Sequence, residues 1–276
     1  NYKSWTMTDR QLCDIELILN GSFFPLINFM NKEEYESVIE NMRLPNGSLF
    51  PIPIVFDVTH EFADQLSIGE QILLRSKEGF QIAHLFIESI WEPNFHKESK
   101  LVYGTDDPAH PAVDYLNNQS NKVYLGGKVE GISIPDHYDF TQYRLSPEKT
   151  KKIFKELGWD RIVAFQTRNP LHRAHVEMTM SSMKKLDARL FLHPVVGLTK
   201  AGDVDYYTRV RCYEHVLKKY PKKSSILSLL PLAMRMGGPR EALLHSIIRK
   251  NYGCTHIIIG RDHAGPGKDN NGNDFY

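Results

Sequence analysis

Two polar segments of the chain concentrate the residue types that bind phosphate groups. In the first, QTRNPLHRAH at residues 166–175, the guanidinium of Arg168 is a planar donor that matches a tetrahedral oxyanion. His172 and His175 are three residues apart, so on a helix their imidazoles share one face. Two amide side chains add neutral donors: Gln166 and Asn169. The segment therefore has the hydrogen-bonding capacity to bind a multiply charged anion.

The second segment, GRDHAGPG at residues 260–267, is rich in glycine. Glycine permits close approach of the backbone to a ligand, so exposed N–H groups here can cradle an anion. Arg261 and His263 are expected to add positive charge, and Asp262 is expected to orient the loop rather than react. Neither segment places a nucleophile beside an activating base. Together they are typical of a site that binds two anions and stabilises charge as it develops.

Each polar segment follows an apolar run that is predicted to be a β-strand. From Ser146 onward, apolar runs alternate with helical patterns, which is typical of crossover connections and a parallel sheet. The predicted strands are residues 162–166, 189–196, 226–230 and 256–259. The predicted helices are residues 147–157, 171–186, 206–219 and 239–251. This half of the chain is therefore assigned to the α/β class.

The expected sheet brings the two segments together. In an open parallel sheet, ligands bind beyond the carboxyl ends of the strands, where the strand order reverses. If the four strands, numbered along the chain, have the order 3-2-1-4, the reversal lies between the first and the fourth. The two polar segments leave those strands and then face each other across one crevice. The helix predicted to begin at Leu171 directs unpaired N–H groups and its positive dipole end at the same crevice.

The first half of the chain, up to about Ile134, has a mainly β pattern. Its predicted strands are residues 49–59, 71–76, 81–91 and 122–134, with a glycine-containing hairpin turn between the second and the third. Its predicted helices are residues 9–19, 32–41 and 113–117. A polar and aromatic stretch, residues 135–144, is the expected linker. The sequence therefore predicts a compact, mainly β domain ahead of the α/β domain.

Composition limits the classes of partner. The formal net charge is +1 over 276 residues, so no bulk attraction to nucleic acid or to a membrane is expected. Cys13, Cys212 and Cys254 are far apart and form no CxxC pair, which argues against a disulfide framework or a zinc site. Neither a signal peptide nor an apolar run long enough to span a bilayer is recognised. A reducing, cytoplasmic location is the expectation.

The two segments also resemble the motifs of a known family. Residues 166–175 are similar to the QxRNPxHxxH motif of the ATP sulfurylase (sulfate adenylyltransferase) family, and residues 260–267 are similar to its GRDHAGPG loop. PLAMRM at residues 231–236, followed by GPREA at residues 238–242, resembles a third family segment. DRQLCD at residues 9–14 begins a stretch that resembles its N-terminal domain. The resemblance covers nearly the whole chain.

The resemblance implies a fold and a reaction. Residues 1–138 would form a mainly β, PUA-like N-terminal domain, and residues 139–276 a Rossmann-like nucleotidyltransferase domain with a parallel sheet. Family members join ATP and sulfate to give adenosine 5′-phosphosulfate and pyrophosphate, or run the reverse reaction. A sulfate oxygen attacks the α-phosphorus in line, and Mg²⁺ accompanies the nucleotide. The family's catalytic domain continues beyond the position of Tyr276, so the domain is expected to be truncated at its C-terminal end.

The resemblance also implies roles for individual residues. The positions usually marked as catalytic, together with the two phosphate-binding histidines, are Thr167, Arg168, Asn169, His172 and His175. ATP contacts would come from those five residues, from Gln166 and from the second loop at Gly260, Arg261, Asp262 and His263. Sulfate would be held by Gln166, Arg168 and the backbone of Ala264. No protein ligand to a metal is implied.

Other interpretations remain open at this point. A related adenylyltransferase with another acceptor would use the same superfold, and a non-catalytic nucleotide-binding or RNA-binding module would use the PUA-like domain. A homo-oligomer is expected from the resemblance. Some relatives carry an adenylylsulfate kinase domain, but no GxxxxGK[ST] loop occurs in these residues, so a kinase would be a fused or separate partner.

Four further polar residues have two interpretations each. Lys200 and Arg209 follow the second predicted strand and would line the pocket rim or a solvated face. Arg235 follows the third strand and would serve the pocket or the scaffold. His193 lies in an apolar strand and is interpreted as a hydrogen-bonded core histidine rather than a ligand.

Overall fold

The computed structural model describes residues 3–199 and 202–276. Among these residues, seven strands of the N-terminal half form two sheets, with the orders β1-β3-β4-β7 and β2-β6-β5. These strands are β1 (Ser4–Thr6), β2 (Phe56–Val58), β3 (Gln71–Arg75), β4 (Gln81–Phe86), β5 (Ser89–Trp91), β6 (Val123–Gly126) and β7 (Val129–Gly131). The helices are α1 (Asp9–Leu19), α2 (Lys32–Asn41), α3 (His60–Ala63), α4 (Phe95–Tyr103) and α5 (Pro111–Asn118). The predicted domain of β-sheets with helices is confirmed, although its helices contain more residues than its short strands.

Two predicted strands of this half each divide into two strands that belong to different sheets. Residues 81–91 form β4 and β5, and residues 122–134 form β6 and β7. The second division follows from Gly126 and Gly127. A Cβ on Gly126 would lie 2.2 Å from the carbonyl oxygen of Met30, and Gly127 has a φ of 149°, which side chains disfavour. The glycine pair therefore lets the chain cross from one sheet to the other.

The C-terminal half alternates strands and helices. Its strands are β8 (Ile162–Phe165), β9 (Arg189–Leu192), β10 (Ser225–Leu227) and β11 (His256–Ile258). Its helices are α6 (Pro147–Glu156), α7 (Arg173–Leu186), α8 (Tyr206–Leu217) and α9 (Gly238–Asn251), and a 3-10 turn, Thr141–Tyr143, lies in the predicted linker. The strand order is β10-β9-β8-β11, and all three pairings are parallel. The predicted order 3-2-1-4 and the Rossmann-like α/β class are confirmed.

Local sequence explains where these helices begin. Ser146 Oγ accepts a hydrogen bond from the backbone N–H of Lys149, and a proline occupies the first turn of α6. Asp205 caps α8 in the same way, since its carboxylate accepts from the N–H of Thr208. β8 is buried along its whole length, which is typical of a central strand covered on both faces.

The two halves share one hydrophobic core and a buried ion pair. Tyr252 of the C-terminal half packs in the same core cluster as Phe23 and Phe50 of the N-terminal half. Arg235 donates to Asp14 of α1, and both side chains are almost fully buried. Because breaking such a pair leaves an uncompensated charge in the interior, this contact fixes the C-terminal half against α1. In the part of the chain that is described, no helix combines the length and the apolar character that a membrane crossing needs.

Candidate active site

The loops that leave β8 and β11 line one cavity of about 240 Å³. The strands are adjacent and in register, with Phe165 beside Ile258, so both loops start from the same edge of the sheet. The first loop and α7 contribute Gln166, Thr167, Arg168, Asn169, His175 and Met178. The second loop contributes Gly260, Asp262, His263 and Ala264. The prediction that the two polar segments face one crevice is confirmed.

A larger cavity, of about 720 Å³, lies elsewhere, between the two halves of the chain. Its wall includes the carboxylates of Asp9, Glu16 and Asp136. Glu16 is paired with His137, with 2.8 Å between Oε2 and Nε2. This cavity lies away from both motif loops, and its acidic wall does not favour a phosphate or a sulfate.

The first loop is held in shape by its own hydrogen bonds. Thr167 Oγ1 donates to the carbonyl oxygen of Asn169 at 3.1 Å and accepts from the Asn169 N–H at 3.0 Å. The hydroxyl of Tyr213, on α8, donates to the same carbonyl oxygen at 2.8 Å. Thr167 is buried, so its hydroxyl group stabilises the backbone of the loop from within. These bonds position the neighbouring Arg168 and Asn169 before any ligand arrives.

Arg168 forms an ion pair within the cavity wall. Its Nη1 donates to Oδ1 of Asp203, in the loop between β9 and α8. The two side chains are 22% and 10% exposed, so the pair is partly screened from water. Sequence reasoning missed Asp203, although its position beyond the carboxyl end of β9 was a signal that it faces the same edge of the sheet.

The N-terminus of α7 is capped by one of the two histidines. Nδ1 of His175 accepts a hydrogen bond from the backbone N–H of His172 at 3.1 Å, and the ring centroids are 5.4 Å apart. An accepting Nδ1 leaves Nε2 as the protonated donor of His175. Burial, and then the neighbouring imidazole of His172, lowers the pKa of His175. His175 lines the cavity, whereas His172 is exposed and does not.

The helix itself begins at Arg173, two residues later than the predicted start at Leu171. His172 is its N-cap residue, with an extended backbone. The unpaired backbone N–H groups at the start of α7 therefore belong to the residues of its first turn, which begins at Arg173. The contribution of these N–H groups to the crevice stays a prediction; the helix residues that line the cavity are His175 and Met178.

The second loop makes a turn in which Gly265 lies directly against the side chain of Asp262. A Cβ on Gly265 would lie 1.6 Å from Oδ1 of Asp262, so the position admits no side chain without displacing that carboxylate. Ala264 has a φ of 55° and is buried, and its carbonyl oxygen accepts from the N–H of Gly238 at 3.2 Å. Arg261 is exposed and does not line the cavity. The loop therefore presents backbone, Asp262 and His263 to the cavity.

His263 differs from the sequence-based expectation. Its Nε2 lies 2.8 Å from Nδ1 of His245, a fully buried residue of α9. Burial, reinforced by His245 and by the guanidinium of Arg249, lowers the pKa of His263 to about 3. The expectation that His263 adds positive charge to the loop is wrong, because an imidazole in this environment is neutral at physiological pH.

The structure also decides between the two interpretations of other residues. Arg209 is buried and donates to the carbonyl oxygens of Val204 and Val195, so it lies neither at the rim nor on a solvated face. Arg235 belongs to the scaffold through Asp14. Lys200 lies outside the described residues.

His193 is a core residue, as expected, but not a hydrogen-bonded one. It is fully buried, and neither ring nitrogen has a hydrogen-bond partner among the described residues. Its ring packs against Tyr252, with centroids 4.3 Å apart. Burial, followed by Arg249 and His245, holds its pKa well below the ordinary value, so it packs as a neutral ring.

Comparisons with known proteins follow the same division of the chain. A family model described as ATP-sulfurylase matches residues 141–276, and one described as a PUA-like domain matches residues 1–134. Over 272 residues the chain is 53% identical to a sulfate adenylyltransferase of Schizosaccharomyces pombe, covering 98% of this chain and 56% of the relative. It is 50% identical to that of Saccharomyces cerevisiae, covering 99% of this chain and 53% of the relative.

A solved structure shows the same fold. The structure described as a hexameric APS kinase from Thiobacillus denitrificans superposes with a TM-score of 0.80 at 29% identity, covering 95% of this chain and 48% of that chain. The chain thus spans about half the length of the curated relatives it matches. Since the similarity extends over nearly all of this chain and its two motif loops converge on one cavity, the chain belongs to the ATP sulfurylase family.

Proposed function

We propose that this chain supplies the nucleotide and sulfate site of a sulfate adenylyltransferase, which joins ATP and sulfate to give adenosine 5′-phosphosulfate and pyrophosphate, or catalyses the reverse reaction. The observation that carries the proposal is the single cavity between the loops after β8 and β11. It places a guanidinium, a donor imidazole and a glycine-rich backbone around one space at the reversal of strand order.

The reaction brings two anions together, so binding and alignment account for most of the chemistry. Sulfate would be held by the amide of Gln166, the fork of Arg168 and the backbone N–H of Ala264. Its oxygen would then attack the α-phosphorus in line, with pyrophosphate leaving. Asn169 would orient the phosphate chain, and Thr167 acts by fixing the backbone of Asn169.

The phosphate chain would lie at the N-terminus of α7. His175 would donate to it from Nε2, because its Nδ1 is occupied by the helix cap. His172 and Arg261 are exposed beside the cavity and would contact the outer phosphates. On the other side, Gly260, Asp262 and His263 would contact the nucleotide. One well-placed donor to a developing charge is typically worth ~3 kcal/mol.

Mg²⁺ is proposed to enter with the nucleotide. Among residues 3–199 and 202–276, no group of three or more His, Cys, Asp or Glu side chains is arranged to hold a metal ion. We therefore propose that phosphate oxygens and water, rather than a cage of protein side chains, hold most of the coordination sites of the cation, as is usual for Mg²⁺. When bound, the ion would neutralise part of the phosphate charge.

The domain boundary and the setting of the protein are also proposals. We place the boundary between residues 138 and 139, in the irregular stretch between β7 and α6. The three cysteines are unpaired, which favours a reducing, cytoplasmic location. A homo-oligomer is proposed because the solved structural relative is described as hexameric, and an adenylylsulfate kinase, fused or separate, would consume the product.

A pyrophosphate-release assay tests the proposal. The chain is incubated with ATP and Mg²⁺, with and without sulfate, and with molybdate as a substitute oxyanion. Release that depends on either oxyanion is expected. Release that is independent of sulfate and molybdate but depends on another acceptor would contradict the assignment of sulfate as substrate.

A further inference from the structure

A line of three side chains leads from the buried interior to the cavity. Glu241, in the first turn of α9, is fully buried and accepts backbone hydrogen bonds from Arg235 at Oε1 and from Gly237 at Oε2, at 3.0 and 2.9 Å. One turn later, Nε2 of His245 lies 3.5 Å from Oε1 of Glu241. Nδ1 of His245 then lies 2.8 Å from Nε2 of His263.

The charge state of the first two members is set by their surroundings. Burial raises the pKa of Glu241, but His245 and the two backbone N–H groups outweigh it, and the net shift is downward. Burial lowers the pKa of His245, and Arg249 lowers it further, against the opposing effect of Glu241. A carboxylate therefore faces a neutral imidazole that carries one proton.

That single proton has a preferred position. The contact of 3.5 Å is long for a hydrogen bond, yet the carboxylate still attracts a proton on Nε2 and repels a lone pair there. With Nε2 of His245 protonated, its Nδ1 is the acceptor. The proton shared across the 2.8 Å contact then belongs to Nε2 of His263, and Nδ1 of His263 is left as an unprotonated acceptor.

Nδ1 of His263 is the ring atom available to a ligand. Among the described residues it has no hydrogen-bond partner, and it does not belong to the buried atoms that lack one. His263 itself lines the cavity. A lone pair at this point repels phosphate oxygens and accepts from an N–H or O–H group.

We propose that Glu241 and His245 are positioning residues that hold His263 as a hydrogen-bond acceptor for the nucleoside part of the nucleotide. The inference rests on the proposed nucleotide site and refines it. ATP offers donors at its ribose hydroxyls and its adenine amino group, whereas its phosphates offer acceptors. These three side chains, Glu241, His245 and His263, are called the relay. The cavity thereby has hydrogen-bond donors on one side, at Arg168 and His175, and an acceptor on the other, at His263.

Nitrogen NMR of the histidine rings tests the tautomer directly. With ¹⁵N-labelled histidine, the parent is expected to show His263 protonated at Nε2 and free at Nδ1, without titration between pH 5.5 and 8. In His245→Phe the acceptor is lost, and the proton should move to Nδ1. In His245→Asn, whose amide oxygen can accept in place of Nδ1, the parent tautomer should be retained. A parent His263 protonated at Nδ1 would overturn the proposal.

Binding measurements test the ligand chemistry. ATP and inorganic tripolyphosphate are compared by calorimetry on the parent, on His245→Phe, on Glu241→Gln and on the exposed control His215→Asn. Loss of one hydrogen bond should raise the Kd for ATP by about tenfold in His245→Phe and Glu241→Gln. The Kd for tripolyphosphate should change by less than about twofold in the same variants. Equal weakening of both ligands would show a structural role only and overturn the nucleoside contact.

The failures of the two proposals are distinguishable. If ATP binds with the expected pattern but sulfate does not stimulate pyrophosphate release, the proposed reaction fails and the positioning role stands. If the parent does not bind ATP at all, the nucleoside contact fails together with the proposed function, while the ring-nitrogen signals still decide whether Glu241 and His245 set the tautomer.

Discussion

Arg168 and Asp203 form an ion pair in the wall of the cavity that contains both motif loops. The hydrogen bond runs from Nη1 to Oδ1, so the guanidinium that is proposed to bind sulfate already faces a carboxylate. An incoming oxyanion must either displace Asp203 or bind the other edge of the guanidinium. In both cases the carboxylate is expected to repel the ligand, so we expect this contact to lower the affinity for anions.

Asp203→Asn is therefore expected to strengthen sulfate binding. The amide can still accept from Arg168, but the competing negative charge is removed. For a partly exposed pair we expect sulfate binding to become more favourable by ~1 kcal/mol, which lowers the KM for sulfate roughly fivefold. Sulfate dependence of pyrophosphate release provides the measurement, and exposed Asp160, before β8, provides a matched Asp→Asn control. A higher KM in Asp203→Asn would show that the carboxylate orients Arg168 productively instead.

Substitutions of Arg168 itself separate its charge from its shape. Arg168→Ala should lower sulfate-dependent kcat/KM by roughly 10²-fold or more, because a donor to the reacting anion is lost. Arg168→Lys should recover only part of this, since an ammonium lacks the planar fork. Thermal unfolding should show that both variants remain folded. Activity of Arg168→Ala within a few-fold of the parent would remove this residue from the site.

His175 has two roles that one substitution can divide. Nδ1 caps α7 and Nε2 is proposed to bind phosphate. Glutamine is a favourable residue three positions after an N-cap, because its side-chain oxygen accepts from the N-cap N–H. His175→Gln should therefore keep stability within ~0.5 kcal/mol of the parent while the KM for ATP rises about tenfold. His175→Ala should lower the stability and also raise the KM for ATP, because it removes both the helix cap and the phosphate contact. An equal KM for ATP in His175→Gln and the parent would argue against the phosphate contact.

The turn of the second loop can be tested through Gly265. Gly265→Ala forces a Cβ against Oδ1 of Asp262, which must move out of its position in the cavity wall. We expect weaker ATP binding with a modest loss of stability, since the clashing atom belongs to a side chain. Asp262→Ala in the same chain should relieve the clash. If the double variant is no more stable than Gly265→Ala, the contact with Asp262 is not the constraint; ATP binding is not the criterion here, because Asp262 is itself a proposed nucleotide contact.

The parallel sheet was predictable because its strands are short apolar runs separated by helical runs. Ser146 and the prolines in the first turns of α6 and α9 are local signals that agree with the final structure. The N-terminal half was harder, because long apolar runs cross from one sheet to another. The close approach of Gly126 to the backbone of Met30 and of Gly127 to the backbone of Phe86 shows why the run 122–134 divides. Periodicity contains no such tertiary information.

Most residues that line the cavity were predictable from the two motif loops, although His172 and Arg261 lie outside it, and the charges were not predictable. The motif loops indicated the cavity, and the strand order placed them together. The neutral state of His263 depends on His245 and Arg249, which are distant in sequence from the loop. The pairing of Arg168 depends likewise on Asp203, a residue that sequence reasoning did not connect with the site. Ionisation follows from burial and partners, and both appear only in three dimensions.

Glu98 provides a test of buried charge far from the candidate site. It is fully buried in the N-terminal half, where Oε2 accepts from the hydroxyl groups of Tyr35 and Tyr124 at 2.8 and 3.3 Å. Burial raises its pKa from 4.5 to about 7, although the two tyrosines oppose this shift. Between these values the folded protein keeps the proton and the unfolded chain loses it. The contribution of Glu98 to stability is therefore lost as the pH rises from about 4.5 to about 7.

Glu98→Gln removes this titration while keeping an oxygen that accepts from both tyrosines. Relative to the variant, the parent should lose up to ~1.4 kcal/mol for each pH unit within that window. Urea unfolding of both proteins at several pH values between 4.5 and 8 gives the difference, and exposed Glu33→Gln serves as a control that should run parallel to the parent. A difference between parent and Glu98→Gln that stays constant with pH would mean that Glu98 is ionised in the folded protein throughout, and that its tyrosine partners outweigh its burial.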